Sequence, residues 1–512
     1  MPIRGGSNAC ACGYPSPDMI GITDRLWRLG RWSRVAALLF LGVIVALGMA
    51  PLDWWFIAVP AWAVVLAVLT SATATRGALV AALCIGLGYF AFTLRWLVEP
   101  FLVDVATWGW AAPLGISLMA LRESLFWVAG TLIARLIAPG RLSALVLSLT
   151  LAEALRGYLF TGFPWGLIGH VLIPTPWAQA ASFGGPHVLT LLTLTVAAGL
   201  VWVARRRWLG LMPLVLAALA VPVLLPPVLT PAVDAPVIRI VQPNAPQDEK
   251  WDPARYMIFF RRMIDATQAA PRPDLIVWPE TAVPVLLDYA QAELDWISEA
   301  AQGTPVVTGI NRSQDGLYYN SLIVLGRMGQ VQQSYDKAHL VPFGEYTPFG
   351  EVLKNLGIHG LATSEGGGFA KGPAQQPLID LPGIGPARAL ICYEGIFAEE
   401  IATPARPRLL LMITNDAWFG KGAGPTQHLA QARLRAIEQG LPMVRSANTG
   451  ISAMIDPYGR VLATMALDTS GHVDVLLPAA LPPTRYVRWG DWPVMGLVLL
   501  GLAACVLRRR AA

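Results

Sequence analysis

Eight apolar runs most constrain what this 512-residue chain can fold into: about 35–50, 54–70, 77–95, 108–134, 142–160, 184–203, 209–228 and 491–507. A helix crossing the hydrocarbon core of a bilayer needs roughly 20 mostly apolar residues, and in lipid every backbone polar group must be paired within the segment. Seven runs before residue 229 therefore predict a bundle of membrane helices, and the last predicts a helix near the C-terminal end. The first two runs are short and joined through "APLDWW", which predicts tilted or partly inserted helices. Composition agrees. The chain is 55% apolar and 14% charged, whereas soluble domains carry about 25% charged residues.

Arginines flank these runs: Arg25, Arg28, Arg31 and Arg34 before the first, Arg76 between the second and third, Arg135 and Arg141 between the fourth and fifth. Arg205, Arg206 and Arg207 lie between the sixth and seventh, and Arg508, Arg509 and Arg510 follow the eighth. With eight crossings all of them fall on one side, and the positive-inside bias makes that side the cytoplasm. Both termini are then inside, and residues 229–490 form an outer domain, periplasmic in a host with two membranes. Arg95 and Arg156 sit at outer ends, against the bias. Residues 1–34 read as a cytoplasmic extension without the apolar core of a signal peptide, and Met19 is an alternative start. Within the runs, Arg122, Glu123, Glu153 and Arg156 have two readings: pairing inside the bundle, or a head-group or proton site. No ordered relay of acids crosses the bundle, which argues against a transporter. The net charge of +5 is modest and no Lys/Arg block looks like a nucleic-acid footprint.

The composition changes near Pro231. "APVIRIVQ", "DLIVWPE", "PVVTGI", "YYNSLIVLG", "VQQSYDK", "RALICYE", "RLLLMITND", "ISAMIDP" and "RVLATMA" read as strands. "PARYMIFFRRMIDATQAA", "AELDWISEAAQ", a short "GIFAEEIA" and "GPTQHLAQARLRAIEQG" read as helices, the last with Pro425 in its first turn and Gly440 as its C-terminal cap. The mixture predicts an α/β domain with helix-covered sheets. "GFPWG" at 162–166 reads as an outer loop with Trp165 at the membrane interface. Segment 347–372, which mixes apolar residues with three consecutive glycines, has two readings: a mobile arm over the site, or an ordinary surface loop.

Three predicted strands end in groups that can react: Glu280, Lys337 and Cys392. Reactive groups of α/β folds gather at carboxyl ends of strands. A thiol attacks only as thiolate and needs a base, which Glu280 supplies. Attack on an acyl carbon creates an oxyanion, for which Lys337 and the backbone N–H of Tyr393 are suitable donors. Singly, each has an ordinary reading: a core cysteine, a turn glutamate, a solvated lysine. The five cysteines, Cys10, Cys12, Cys84, Cys392 and Cys505, show no zinc-ligand spacing, and no metal or cofactor is expected.

"WPET" around Glu280, "YDKAHLVPFGEYTP" with Lys337 and Glu345, "ICYEG" around Cys392, "NDAWFG" at 415–420 and "RSANTG" at 445–450 resemble the nitrilase, or carbon–nitrogen hydrolase, superfamily. With the bundle and the C-terminal helix, residues from about 35 to 510 resemble the bacterial apolipoprotein N-acyltransferase family. The resemblance implies an αββα sandwich over residues 229–490, a seven-helix bundle over 35–228, and a C-terminal transmembrane helix with a cytoplasmic tail over 491–512. It implies an inner-membrane acyltransferase with a Glu280–Lys337–Cys392 triad. The donor would be a phospholipid, typically phosphatidylethanolamine, and the acceptor the α-amine of a lipoprotein's diacylglyceryl-cysteine. It implies Glu345 as a supporting carboxylate, Tyr393 and Glu394 as shaping the nucleophile's turn, and Trp251 as lying on a substrate-binding loop. The alternative is a membrane-tethered amidase or nitrilase-type hydrolase. A transporter or receptor with an inactive ligand-binding domain is disfavoured by the intact triad.

Overall fold

The computed structural model describes residues 20–229, 232, 234–348 and 368–510. A helix stands in each of the eight predicted runs: Arg31–Ala46, Trp55–Ser71, Thr75–Thr93, Ala112–Ile137, Leu142–Tyr158, Ala181–Ala204, Leu211–Leu224 and Trp492–Arg510. Not all are long enough to cross. Among the described residues four segments are both long and apolar enough: Thr75–Thr93, Val105–Ile137, Pro176–Ala204 and Trp492–Arg510. At 1.5 Å per residue a 16-residue helix spans only about 24 Å, against about 30 Å of hydrocarbon. The helices pack tightly where side chains vanish. A Cβ on Gly42 would lie 2.1 Å from the Ile85 carbonyl oxygen, and one on Gly88 would lie 2.0 Å from that of Leu39. Glycine alone permits this backbone approach between the helices Arg31–Ala46 and Thr75–Thr93.

The second part is a two-sheet sandwich. The first sheet holds β1 (Val237–Gln242), β2 (Leu275–Val277), β3 (Val306–Gln314), β4 (Leu317–Leu325) and β5 (Val331–Asp336). The second holds β6 (Ile379–Leu381), β7 (Gly385–Ile391), β8 (Leu409–Thr414), β9 (Met443–Ala447), β10 (Ala453–Ile455) and β11 (Val461–Thr464). A last strand, β12 (Gly471–Leu476), returns to the first sheet. The orders are β12-β1-β2-β3-β4-β5 and β11-β10-β9-β8-β7-β6.

Alternation along the strands builds the layers. Ile238, Ile240, Val307, Leu322 and Val324 face Ala387, Ala389, Leu409, Leu411 and Ile413 in the inner core. Their neighbours Val241, Ile276, Val306, Ile323 and Leu325 pack outward with Phe260, Ile264, Leu294 and Ile297 of the helices Tyr256–Gln268 and Gln291–Ala301. On the far side Leu390, Leu410 and Met412 pack with Ala432 and Ala436 of the helix Ala423–Gln439. Covering both faces explains why "RLLLMIT" is continuously apolar rather than alternating. Pro425 lies in the first turn of that last helix, and Gly440 caps it at φ +62°.

Four expectations need correction. "GIFAEEIA" is not an α-helix: two 3₁₀ turns, Cys392–Ile396 and Ala398–Glu400, cover it. The strand carrying "WPE" stops at Val277, so Glu280 lies beyond its end. β6, β9 and β12 had no counterpart among the predicted strands. Trp165 does not sit at the lipid interface: it is 1% exposed, donates from Nε1 to Gln427 Oε1 at 2.7 Å, and packs against Trp96 and Phe419. A tryptophan at the end of a span is satisfied equally by a headgroup or by a protein acceptor, and here the sandwich supplies the acceptor. Most of segment 347–372, residues 349–367, lies outside the described residues, as do Cys10 and Cys12.

Candidate active site

Glu280 is placed by the extension of β2. Trp278 N–H donates to the Val307 carbonyl at 2.8 Å, Gly309 N–H to that of Pro279 at 3.1 Å, and Ala282 N–H to that of Gly309 at 2.8 Å. This path runs so close to β3 that a Cβ on Gly309 would lie 2.7 Å from Glu280 Cα. The carboxylate is buried, 5% exposed, and its Oε1 accepts from Asn320 Nδ2 at 2.7 Å.

Lys337 lies one residue past β5, its N–H bonded to the Asn320 carbonyl at 2.9 Å. Its Nζ is 2.8 Å from Glu345 Oε1 and 3.4 Å from Glu280 Oε1. Glu345 is fixed from the other side by the N–H of Val341, which donates to Oε2 at 2.9 Å. Asn320 also reaches Glu345 Oε1, at 3.2 Å. Two carboxylates thus share one ammonium and one amide. Burial works against the Lys337 charge, but Glu345, Glu280 and Cys392 outweigh it and hold the ammonium above its usual range.

Cys392 follows the last residue of β7, with Ile391 paired to Ile413 of β8. Its φ is +50°, a left-handed conformation uncommon for a residue with a Cβ. Such strain persists only where the surroundings over-determine it, and Glu394 does so. Its Oε2 accepts from Ile391 N–H at 2.7 Å. Its Oε1 accepts from Ala338 N–H at 2.7 Å, His339 N–H at 3.2 Å and Tyr335 Oη at 2.9 Å. One carboxylate therefore ties the turn of Cys392 to the segment carrying Lys337. Tyr393 is buried edge-on to Phe397 and His339. Burial first, and the Glu280 carboxylate second, push the Cys392 thiol well above its ordinary range, while Lys337 pulls it down. A thiol raised in this way calls for a nearby acceptor before it can attack.

The fold thus brings Glu280, Lys337, Glu345, Cys392 and Glu394 together from two sheets. Trp251 stands half-exposed on the loop after β1, its ring 5.2 Å from Lys250 Nζ. Sequence reasoning missed Asn320, whose only signal was an amide inside the apolar strand "YYNSLIVL". It named "NDAWFG" and "RSANTG" only as motifs of the resemblance, and missed the buried set that their Asp416 and Arg445 build with His428 behind Cys392. Asp416 pairs with Arg445 at 2.6 Å and with His428 at 2.9 Å, and accepts from Thr414 Oγ1 at 2.9 Å.

The family model for the carbon–nitrogen hydrolases matches residues 237–489, and that for the apolipoprotein N-acyltransferase N-terminal domain matches residues 41–199. The apolipoprotein N-acyltransferase of Rhodopseudomonas palustris is 38% identical over 94% of this chain and 96% of its own. The chain belongs to the apolipoprotein N-acyltransferase family. The Bradyrhizobium diazoefficiens member is 37% identical, again over 94% of this chain and 96% of its own. A CN-hydrolase superfamily protein from Xanthomonas campestris is similar at 19% identity and a TM-score of 0.35, covering 48% of this chain and 91% of that one. As in its family, this chain joins an apolar helical part to a carbon–nitrogen hydrolase domain.

Proposed function

We propose that the protein is a membrane-bound lipoprotein N-acyltransferase working by a double displacement on Cys392. The reading rests most on one observation: a buried thiol on a positive-φ turn, within the electrostatic reach of Lys337 and Glu280, which stand 3.4 Å apart. In the first half-reaction Glu280 takes the Sγ proton as sulfur attacks the ester carbon of a phospholipid, typically phosphatidylethanolamine. Lys337 and the Tyr393 N–H receive the oxyanion. The intermediate collapses as the carbon–oxygen bond breaks, and Glu280 returns the proton to the departing lysophospholipid. In the second half the α-amine of a lipoprotein's diacylglyceryl-cysteine attacks the thioester, Glu280 takes the amine proton, and the thiolate leaves and is reprotonated. Glu345 holds Lys337 in place, and Trp251 lies on the loop that meets substrate. No cofactor or metal enters.

The flanking arginines favour eight crossings, some by short or tilted helices, in the bacterial inner membrane. They put residues 1–34 and both termini in the cytoplasm, the bundle at 35–228, the catalytic domain at 229–490 in the periplasm, and the last crossing with its cytoplasmic tail at 491–512. A bundle of apolar helices suits substrates that never leave the bilayer, whereas a tethered hydrolase needs one anchor. The test is mass spectrometry of purified protein given phospholipid alone and then with a diacylglyceryl-peptide. The expected result is a fatty-acyl adduct on Cys392 that persists without acceptor and moves to the peptide amine with it. An adduct lost to water at the same rate in both cases would support the hydrolase. Turnover by Cys392→Ala would end the proposal.

A further inference from the structure

One buried ammonium beside the site has no part in the mechanism above. Lys250 lies on the loop after β1 and is 7% exposed. That loop is pinned to the second sheet: Asn244 N–H donates to the Asn448 carbonyl at 3.0 Å, Asn448 Nδ2 to that of Ala245 at 2.9 Å, and Asn415 Nδ2 to Gln247 Oε1 at 2.8 Å. From it Lys250 reaches into the first sheet. Its Nζ donates to the Glu280 carbonyl at 3.2 Å and to Thr281 Oγ1 at 2.5 Å. Among the described residues no carboxylate lies within ion-pairing distance of it. A buried charge without such a partner is costly, so its retention asks for a reason.

The local backbone supplies one. Thr281 has φ +46°, a true outlier for a β-branched residue, and it directly follows Glu280. Strain of this kind needs external support. The ammonium binds both residues of that turn. Two of its three N–H groups are thereby used, and the Trp251 ring stands near it on the loop.

We propose that Lys250 is a positioning residue for Glu280, its ammonium clamping the Glu280–Thr281 turn to the substrate loop so that the carboxylate stays aimed at Cys392. The inference rests on the acyl-transfer reading of this site. The neighbouring charges are Glu280 itself, with Lys337 and Glu345 beyond it. Burial brings the Lys250 ammonium down to about 8, the Glu280 carboxylate opposing that fall. The clamp therefore weakens in mildly alkaline solution, because a neutral amine is the poorer donor.

The experiment is the single-turnover rate of Cys392 acylation from phospholipid micelles between about pH 6 and 10, for wild type, Lys250→Met, Lys250→Arg and Cys392→Ala. Wild type is expected to slow above about pH 8. Lys250→Met is expected to be at least ~10-fold slower at neutral pH, with an unchanged half-saturating lipid concentration and no alkaline fall. Lys250→Arg, whose side chain stays charged throughout, should recover much of the rate and remain active to about pH 10. A Lys250→Met rate within twofold of wild type overturns the proposal, and so does an alkaline fall that persists unchanged in Lys250→Arg. If Lys250→Met does not fold, the pH profile of Lys250→Arg decides alone. Acylation in Cys392→Ala would instead refute the acyl-transfer reading itself.

Discussion

Glu394→Gln tests whether the turn of Cys392 and the segment of Lys337 are held in register by one side chain. The wild-type carboxylate accepts on both oxygens, from Ile391, Ala338, His339 and Tyr335. An amide keeps the shape but has one accepting oxygen. If that oxygen faces Ala338 and His339, the NH₂ meets the Ile391 N–H donor to donor; if it is flipped, the clash moves to Ala338. Either way at least one strong bond is lost and a buried N–H is stranded. A hydrogen bond to a charged group contributes about 1.5–3 kcal/mol and a stranded buried donor costs about 1–3 kcal/mol. Relief acts the other way, since burial holds the Glu394 carboxyl above its usual range despite these donors. A net loss of about 2–3 kcal/mol is expected. At about 2–4 °C per kcal/mol for a domain of this size, the apparent unfolding midpoint in detergent should fall by about 4–12 °C. The functional loss should be larger. A misplacement of roughly 1 Å between reacting groups costs about 10² in rate, so Cys392 acylation should slow by at least that factor below the unfolding range. An unchanged midpoint with a wild-type acylation rate would refute the clamp.

Three further outcomes follow from the same geometry. Glu280→Gln and Lys337→Met should both slow acylation by roughly 10²–10³, but only Glu280→Gln should recover as pH rises. Hydroxide then generates the thiolate, and removing the carboxylate also removes one cause of the raised thiol; equal recovery in both variants would contradict the assigned roles. Met328→Cys, at a turn in the catalytic domain where the native residue is 83% exposed, should be labelled by a membrane-impermeant maleimide in cells with a permeabilised outer membrane, while Trp208→Cys, at a 77% exposed position, should not. The reverse pattern would invert the proposed topology. Asp416, brought down to about 2 because Arg445 and His428 outweigh its burial, contributes about 2 kcal/mol that is present above pH ~4 and lost as pH falls toward ~2; an Asp416→Asn protein whose stability declines as steeply over that window would show another group to be responsible.

The sequence made the reactive groups legible because chemistry and strand ends coincide in short motifs: "WPE", "YDK" and "ICYE" each put one such group just past an apolar strand. What it hid depends on distant pairing. β12 is a half-exposed edge strand containing His472 and Asp474, visible only through its register with β1, where Val237 meets Leu476. Its Asp474 pairs with the buried Arg239 at 2.6 Å, a contact between residues 235 positions apart. Asn320 and Lys250 were hidden for the same reason. An amide in a strand or a lysine in a loop reads as solvated until the fold shows which buried groups it bonds: two carboxylates for Asn320, a carbonyl and a hydroxyl for Lys250. The charges within the bundle had two readings, and pairing accounts for them. Arg156 is fully buried, bonded to Glu123 and Glu153 and to the carbonyls of Phe163, Trp165 and Gly166.

That buried arginine also bears on how the site meets the membrane. By holding the Phe163, Trp165 and Gly166 carbonyls it fixes the loop that presents Trp165 to Gln427 on the helix Ala423–Gln439. Gln427 Nε2 in turn donates to the Ala50 and Thr93 carbonyls at 3.1 and 3.2 Å, and Trp165 stacks on His428, the partner of Asp416. A contiguous set of buried contacts therefore runs from the bundle to the layer beneath Cys392. The sandwich is docked on the helices through polar groups that each need the other side for satisfaction, so separating the two would strand several at once. In the proposed reaction such docking keeps the thiol at a fixed height relative to the bilayer. The ester of a phospholipid and the amine of a lipid-anchored peptide are each confined near the same plane. Alternation between the two half-reactions then requires exchange of lipids at one site rather than movement of the catalytic domain.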